Sequence, residues 1–129
     1  MLAVAFTALA EAGSTALVGA MATDAWPSTR AGAGRLFGRG RQARQARVEA
    51  QLDGNAALVA QADDPDEVRQ SLVPVWRLEL EALLRRHPAA EPELRALVAR
   101  VRDALPAPQQ TWVAMNLTHD QSTQSIVQH

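Results

Sequence analysis

The chain has no cysteine, no lysine and no tyrosine, and only two phenylalanines and three tryptophans among 129 residues. Without cysteine there is no disulfide framework, no thiol nucleophile and no thiolate metal site, and nothing demands an oxidising compartment. The scarcity of aromatics excludes a core of large rings. A hydrophobic fraction of 47% that leans on alanine leaves a thin core of Leu, Val and close helix contacts. Lacking lysine, the chain cannot carry a Gly-Lys-Ser or Gly-Lys-Thr phosphate loop, so Gly32, Gly34, Gly38 and Gly40 do not read as a nucleotide cradle. Every one of the 13 basic residues is arginine, which together with abundant alanine reads as GC-rich coding bias rather than selected guanidinium chemistry. Fourteen acids bring the net charge to −1, so the whole-chain balance draws neither nucleic acid nor an acidic substrate.

Catalytic constellations are missing as well. His87, His119 and His129 stand far apart, without the paired spacing that metal ligands on one helix require, and His87 reads as a residue at a helix C-terminus. Asp63, Asp64 and Asp66 surround Pro65 as cap and dipole residues and lack calcium-loop spacing. No serine sits in a nucleophile-elbow pattern, and Asn116-Leu117-Thr118 is a glycosylation match too short to carry weight without a secretory context. The expectation is a non-enzymatic protein with no metal, no cofactor and no evident small-molecule substrate.

What is present begins with an apolar N-terminus. Residues 1–22 carry a single charge, Glu11, and the run is long enough to span a bilayer. An ionised group at the centre of a span costs roughly 2.5–3.5 kcal/mol, whereas each Leu, Val or Phe returns about 0.3–0.6. Leu2, Val4, Phe6, Leu9, Leu17 and Val18 therefore about break even, and no basic residue precedes the run as a signal peptide needs. Leu2, Phe6, Leu9, Gly13, Ala16, Leu17 and Ala20 fall on one helical face and Thr7, Glu11, Ser14 and Thr15 on the other. This predicts an amphipathic packed helix with a small-residue seam at Gly13, Ala16 and Ala20, in a cytoplasmic protein. A membrane anchor at 1–22 with an Arg-rich cytoplasmic flank is the alternative.

Further helices follow. Asp24 and Pro27 start a second, which Gly38 stops; a weaker third runs from about Arg41 to Ala62 with Val48, Leu52, Ala56 and Val59 on one stripe. Asp64 as N-cap, Pro65 and Glu67 open a fourth, whose stripe is Val68, Leu72, Trp76, Leu80, Leu83 and Leu84. Arg77 and Arg85 can each pair with Glu81 on it, and Pro74 should kink it or split it in two. After His87-Pro88, the fifth repeats Leu94, Leu97, Val98, Val101 and Leu105 and forms an αα-hairpin with the fourth. The fold class is all-α: a small bundle of about four to five helices over 1–105 with a terminal αα-hairpin. Residues 106–129 form a polar C-terminal tail, flexible or β-prone. Trp112 to Leu117, a turn at His119-Asp120-Gln121-Ser122 and Ser125-Ile126-Val127 suggest a short β-hairpin that pairs with a partner or with itself.

The most asymmetric feature is Arg30, Arg35, Arg39, Arg41, Arg44 and Arg47 with no acid between them. The ordinary reading of such a run is a solvated surface, and with only Phe37 interleaved it disfavours nucleic acid. Arg35, Arg39, Arg41 and Arg44, with Trp112, Met115, Ile126 and Val127 in the tail, are the candidate interaction residues. The expected function is a protein-interaction or scaffold module, whose partner is another protein or a second copy.

Thr23-Asp24-Ala25-Trp26, Leu36-Phe37-Gly38-Arg39-Gly40, His87-Pro88 before Glu93-Leu94-Arg95-Ala96-Leu97, and Gln109-Gln110 at the head of the tail together resemble a group of short Ala/Arg-rich helical proteins of high-GC Gram-positive bacteria. The resemblance implies a bacterial helical protein without an assigned function and carries over no site residue. Tails in that group are Gly-rich after a Val-Gln pair, whereas Val127-Gln128 here precedes only His129.

Overall fold

The computed structural model describes the backbone of residues 2–128 and the side chains of residues 6–117. Six helices follow one another: α1 (Leu2–Ala20), α2 (Trp26–Gly38), α3 (Gln42–Gln61), α4 (Pro65–Arg86), α5 (Glu91–Ala104) and α6 (Ala107–Gln128), with a 3₁₀ turn at Pro88–Ala90. No strand occurs among the described residues.

α1 is the central element, packed most heavily by α4, then by α5 and α6, and touched by α2. Every residue from Gly13 to Met21 is buried. The part of the expected polar face that Ser14 and Thr15 supply is therefore not a solvent face, whereas Thr7 is exposed and Glu11 half-buried. Ser14 and Thr15 are 0% and 3% exposed, and both donate their hydroxyls to the Glu11 carbonyl, at 3.0 and 2.8 Å. A hydroxyl that bonds to its own helix backbone leaves a methylene or methyl surface to pack, so these positions behave as small apolar residues. The one acid is answered by Arg77 of α4, which reaches Glu11 at 3.4 Å. Glu81 instead lies 4.0 Å from Arg85. At the seam, a Cβ on Gly13 would sit 3.0 Å from Leu80 and 3.2 Å from Leu94, so α4 and α5 both close onto this glycine. Among the described residues no helix is long and apolar enough to cross a membrane. From Gly13 to Ala20 the apolar surface of α1 is covered by its own neighbours.

The α1–α2 break falls where Thr23 to Pro27 places it, but Thr23 rather than Asp24 makes it. Its hydroxyl donates to the Ala20 carbonyl at 2.7 Å and accepts from the Ala25 amide at 3.1 Å, while Asp24 is exposed. Arg69, only 4% exposed, holds the end of α1 from across the bundle, donating to the Met21 carbonyl at 2.8 Å and to Asp66 at 2.6 Å. Between these contacts Ala22 adopts a left-handed conformation, φ 62°, which Cβ makes costly. Replacing Ala22 by Gly is expected to raise unfolding stability by about 0.5–1 kcal/mol. Urea denaturation checks it, and a midpoint that falls counts against the left-handed turn.

α2 and α3 form a tight hairpin. Gly38 is the last helical residue rather than the left-handed cap, a role taken by Arg39, φ 49°. A Cβ on Gly38 would meet Gln45 Cβ at 2.8 Å and its backbone at 3.2 Å, so this glycine permits the close turn. In α3, Leu52, Ala56 and Val59 are buried, and Asn55 accepts from Trp76 Nε1 at 2.8 Å. α4 starts as the sequence predicts, with Asp64 accepting from the Glu67 amide at 3.3 Å. It stays one helix through Pro74, because the proline is exposed while Arg69 before it and Trp76, Leu80, Leu83 and Leu84 after it are buried and hold the helix on both sides. The 3₁₀ turn joins α4 to α5, but each packs chiefly on α1, and the close helical hairpin is α2–α3.

The expected strand at Trp112 to Leu117 is helix. Trp112 and Val113 are buried and Asn116 and Leu117 half-buried, an i, i+1, i+4, i+5 set that makes a helical face. Gln110 completes the junction by donating to the Leu105 and Arg102 carbonyls at 2.9 and 3.3 Å, satisfying groups that the end of α5 leaves free. The second half of the expected hairpin, with Ile126 and Val127, lies outside the residues whose side chains are described.

Candidate interaction surface

The interior offers little room for a small molecule. The void where α1, α2, α4 and α5 meet, lined by Gly13, Leu36, Phe37, Leu80 and Leu94 among others, is about 10 Å³, at the lower limit for a single water. Among the described residues no three His, Asp or Glu side chains converge as metal ligands would.

The arginine run occupies the α2–α3 hairpin and divides into two groups. Arg30 is committed: Asp53 accepts its Nε at 2.7 Å and Glu49 lies 3.9 Å away. The Asp53 hydrogen bond raises the Arg30 pKa from its ordinary value; desolvation opposes this, and the charges of Asp53 and Glu49 add to it. Arg39 is also paired, Nη1 to Glu93 of α5 at 2.6 Å. Arg35, Arg41 and Arg47 are exposed and Arg44 half-buried, and none has an acidic partner within 4.0 Å among the described residues. Arg35 ends α2, Arg41 precedes α3, and Arg44 lies in its first turn. That start has no side-chain cap and no acid in its first turn. Two cations, Arg41 and Arg44, thus lie at a helix N-terminus, where the helix dipole already favours anions.

Beside this tip runs a groove of about 290 Å³ between α2 and α5. Gly32, Leu36, Ala96 and Leu97 supply its apolar part, and Arg35, Glu93 and Arg100 its charged part. The helices approach closely here: a Cβ on Gly32 would lie 2.7 Å from Leu97 Cδ1. Glu93 and Arg100, more than forty residues beyond the end of the arginine run, carry no local signal in the sequence. They join the site only because α5 packs against α2.

A second groove, about 460 Å³, runs between α5 and α6 past Arg102, Asp103 and Gln110. Its two charges are opposite in sign, and the Gln110 amide is committed to the α5 carbonyls. It has no directional electrostatic preference. The tail candidates are not brought to one surface: Trp112 is 8% exposed and packs inside, whereas Met115 is 64% exposed. No family model matches the chain, and neither a curated protein nor a solved structure is detectably similar to it. The candidate site therefore rests on its own geometry.

Proposed function

We propose that this chain is a non-enzymatic helical protein-interaction module. Its docking surface is the basic α2–α3 tip with the adjoining α2–α5 groove, and its partner presents an acidic segment carrying aliphatic side chains. The observation that carries the reading is a set of arginines without acidic partners among the described residues: Arg35 and Arg100 line a groove whose apolar part is Leu36, Ala96 and Leu97, and Arg41 and Arg44 stand at the start of α3, beyond the loop residue Arg39 that reaches Glu93 in the groove. Guanidinium groups pair with carboxylates through two parallel hydrogen bonds, and an apolar strip between them suits the aliphatic side chains of a peptide. A nucleic-acid backbone would gain nothing from that strip and would meet Glu93 within it.

Replacing Arg35, Arg41 and Arg44 together by Gln is expected to weaken uptake of a fluorescein-labelled Glu/Leu peptide about tenfold, since each exposed charge contributes a few tenths to one kcal/mol. Uptake should also fall with added salt. Fluorescence anisotropy measures both. An Arg85→Gln, Arg86→Gln double variant, altered at the C-terminal end of α4, serves as the charge control. Equal binding by the triple variant and this control removes the site, and tighter binding of duplex DNA than of the peptide reassigns it to nucleic acid.

A further inference from the structure

We propose that the Arg39–Glu93 pair is an internal stand-in for the partner's carboxylate, so that an acidic segment docks by taking Arg39 from Glu93. This rests on the reading that the α2–α5 groove accepts such a segment. The first indication is local. The left-handed position that closes α2 usually belongs to glycine, and glycines lie on both sides of it, yet Arg39 occupies it at φ 49°. A local preference is overridden where its side chain has a task. That side chain reaches Glu93 at 2.6 Å, a charge-assisted contact between the hairpin loop and the first turn of α5.

The second indication is position. Glu93 is the one acid lining a groove whose other charged residues, Arg35 and Arg100, have no acidic partner among the described residues. It occupies in this chain the place a partner's carboxylate would take. The third is exchangeability. The Glu93 side chain is 56% exposed and that of Arg39 24%, so a docking segment can reach both. A pair this exposed holds by at most about fivefold in equilibrium terms, which makes it a brake on docking rather than a lock.

Anisotropy with the same labelled peptide and the full chain tests the brake. Glu93→Gln is expected to raise affinity about two- to fivefold, because Arg39 no longer has an internal competitor. Glu91→Gln removes an acid from the same turn, one that pairs with Arg95 instead at 2.9 Å, and so measures the effect of charge alone. In an Arg39→Gln background the extra gain from Glu93→Gln should vanish, the signature of two residues acting through one contact. Far-UV circular dichroism of each variant checks that the bundle is intact. A Glu93→Gln gain no larger than that of Glu91→Gln, or one that persists without Arg39, overturns the brake while leaving the docking surface in place. Absence of uptake by wild type and by every variant overturns both.

Discussion

Replacing Trp76 by alanine is expected to lower unfolding stability by about 3–5 kcal/mol, the range for deleting a buried aromatic side chain. Trp76 is 1% exposed and ties together three helices. From α4 its ring meets Phe37 of α2 edge-on, with centroids 5.8 Å apart and planes at 64°. Its Nε1 donates to Asn55 of α3 at 2.8 Å. In a core with few rings, no second ring–ring contact occurs among the described residues to replace it. A domain of this size is stable by about 5–15 kcal/mol in total, so the loss takes a large share. Trp76→Phe keeps most of the ring and gives up the hydrogen bond, for an expected loss of about 1–2 kcal/mol. Urea titration followed by circular dichroism measures both, and a loss below about 1 kcal/mol for Trp76→Ala would show that the three-helix junction does not depend on the indole.

Features written in neighbouring residues were readable from the sequence. Asp64-Pro65 with Glu67 and the break at His87-Pro88 are both decided by backbone chemistry within one turn. So are the apolar stripes of α4 and α5. What depends on the surroundings was not readable. Ser14 and Thr15 count as polar on a helical wheel, yet they turn their hydroxyls onto the Glu11 carbonyl and are buried. From Gly13 to Ala20 an apparently amphipathic α1 is therefore covered on all sides, and becomes the centre of the bundle. Arg69 lies on the same helical line as Leu72, Val73, Trp76 and Leu80, which could have marked it as an inward residue. Its partner, the Met21 carbonyl, is supplied by a different element. The arginine run stood out in sequence, but which of its members are available does not follow from the run itself. Asp53 and Glu49 claim Arg30, and Glu93 claims Arg39.

Ending the chain after Leu105 is expected to lower stability by about 3–6 kcal/mol, leaving a partly unfolded or self-associating product. Composition changes sharply at Pro106, which makes the segment look detachable. In the folded chain, however, Val113 is 1% exposed and Trp112 8% exposed. Both cover α1 at Gly19, where an added Cβ would lie 3.0 Å from Val113 and 3.5 Å from the Trp112 ring. Burial of each side chain contributes about 1.5–3 kcal/mol. Against this, Trp112 Nε1 is buried with no hydrogen-bond partner among the described residues, a cost of about 1–3 kcal/mol that returns when the helix is removed. The balance still favours α6 strongly, because truncation also bares the α1 surface beneath and frees the α5 carbonyls that Gln110 satisfies. A chain ending after Leu117 keeps every described side-chain contact of α6, so the difference between the two truncations isolates Pro106 to Leu117. Thermal unfolding together with light scattering reads it. If the chain ending at Leu105 melts as sharply and as high as the one ending at Leu117, the Trp112–Val113 contact is dispensable and the bundle is complete in its first five helices.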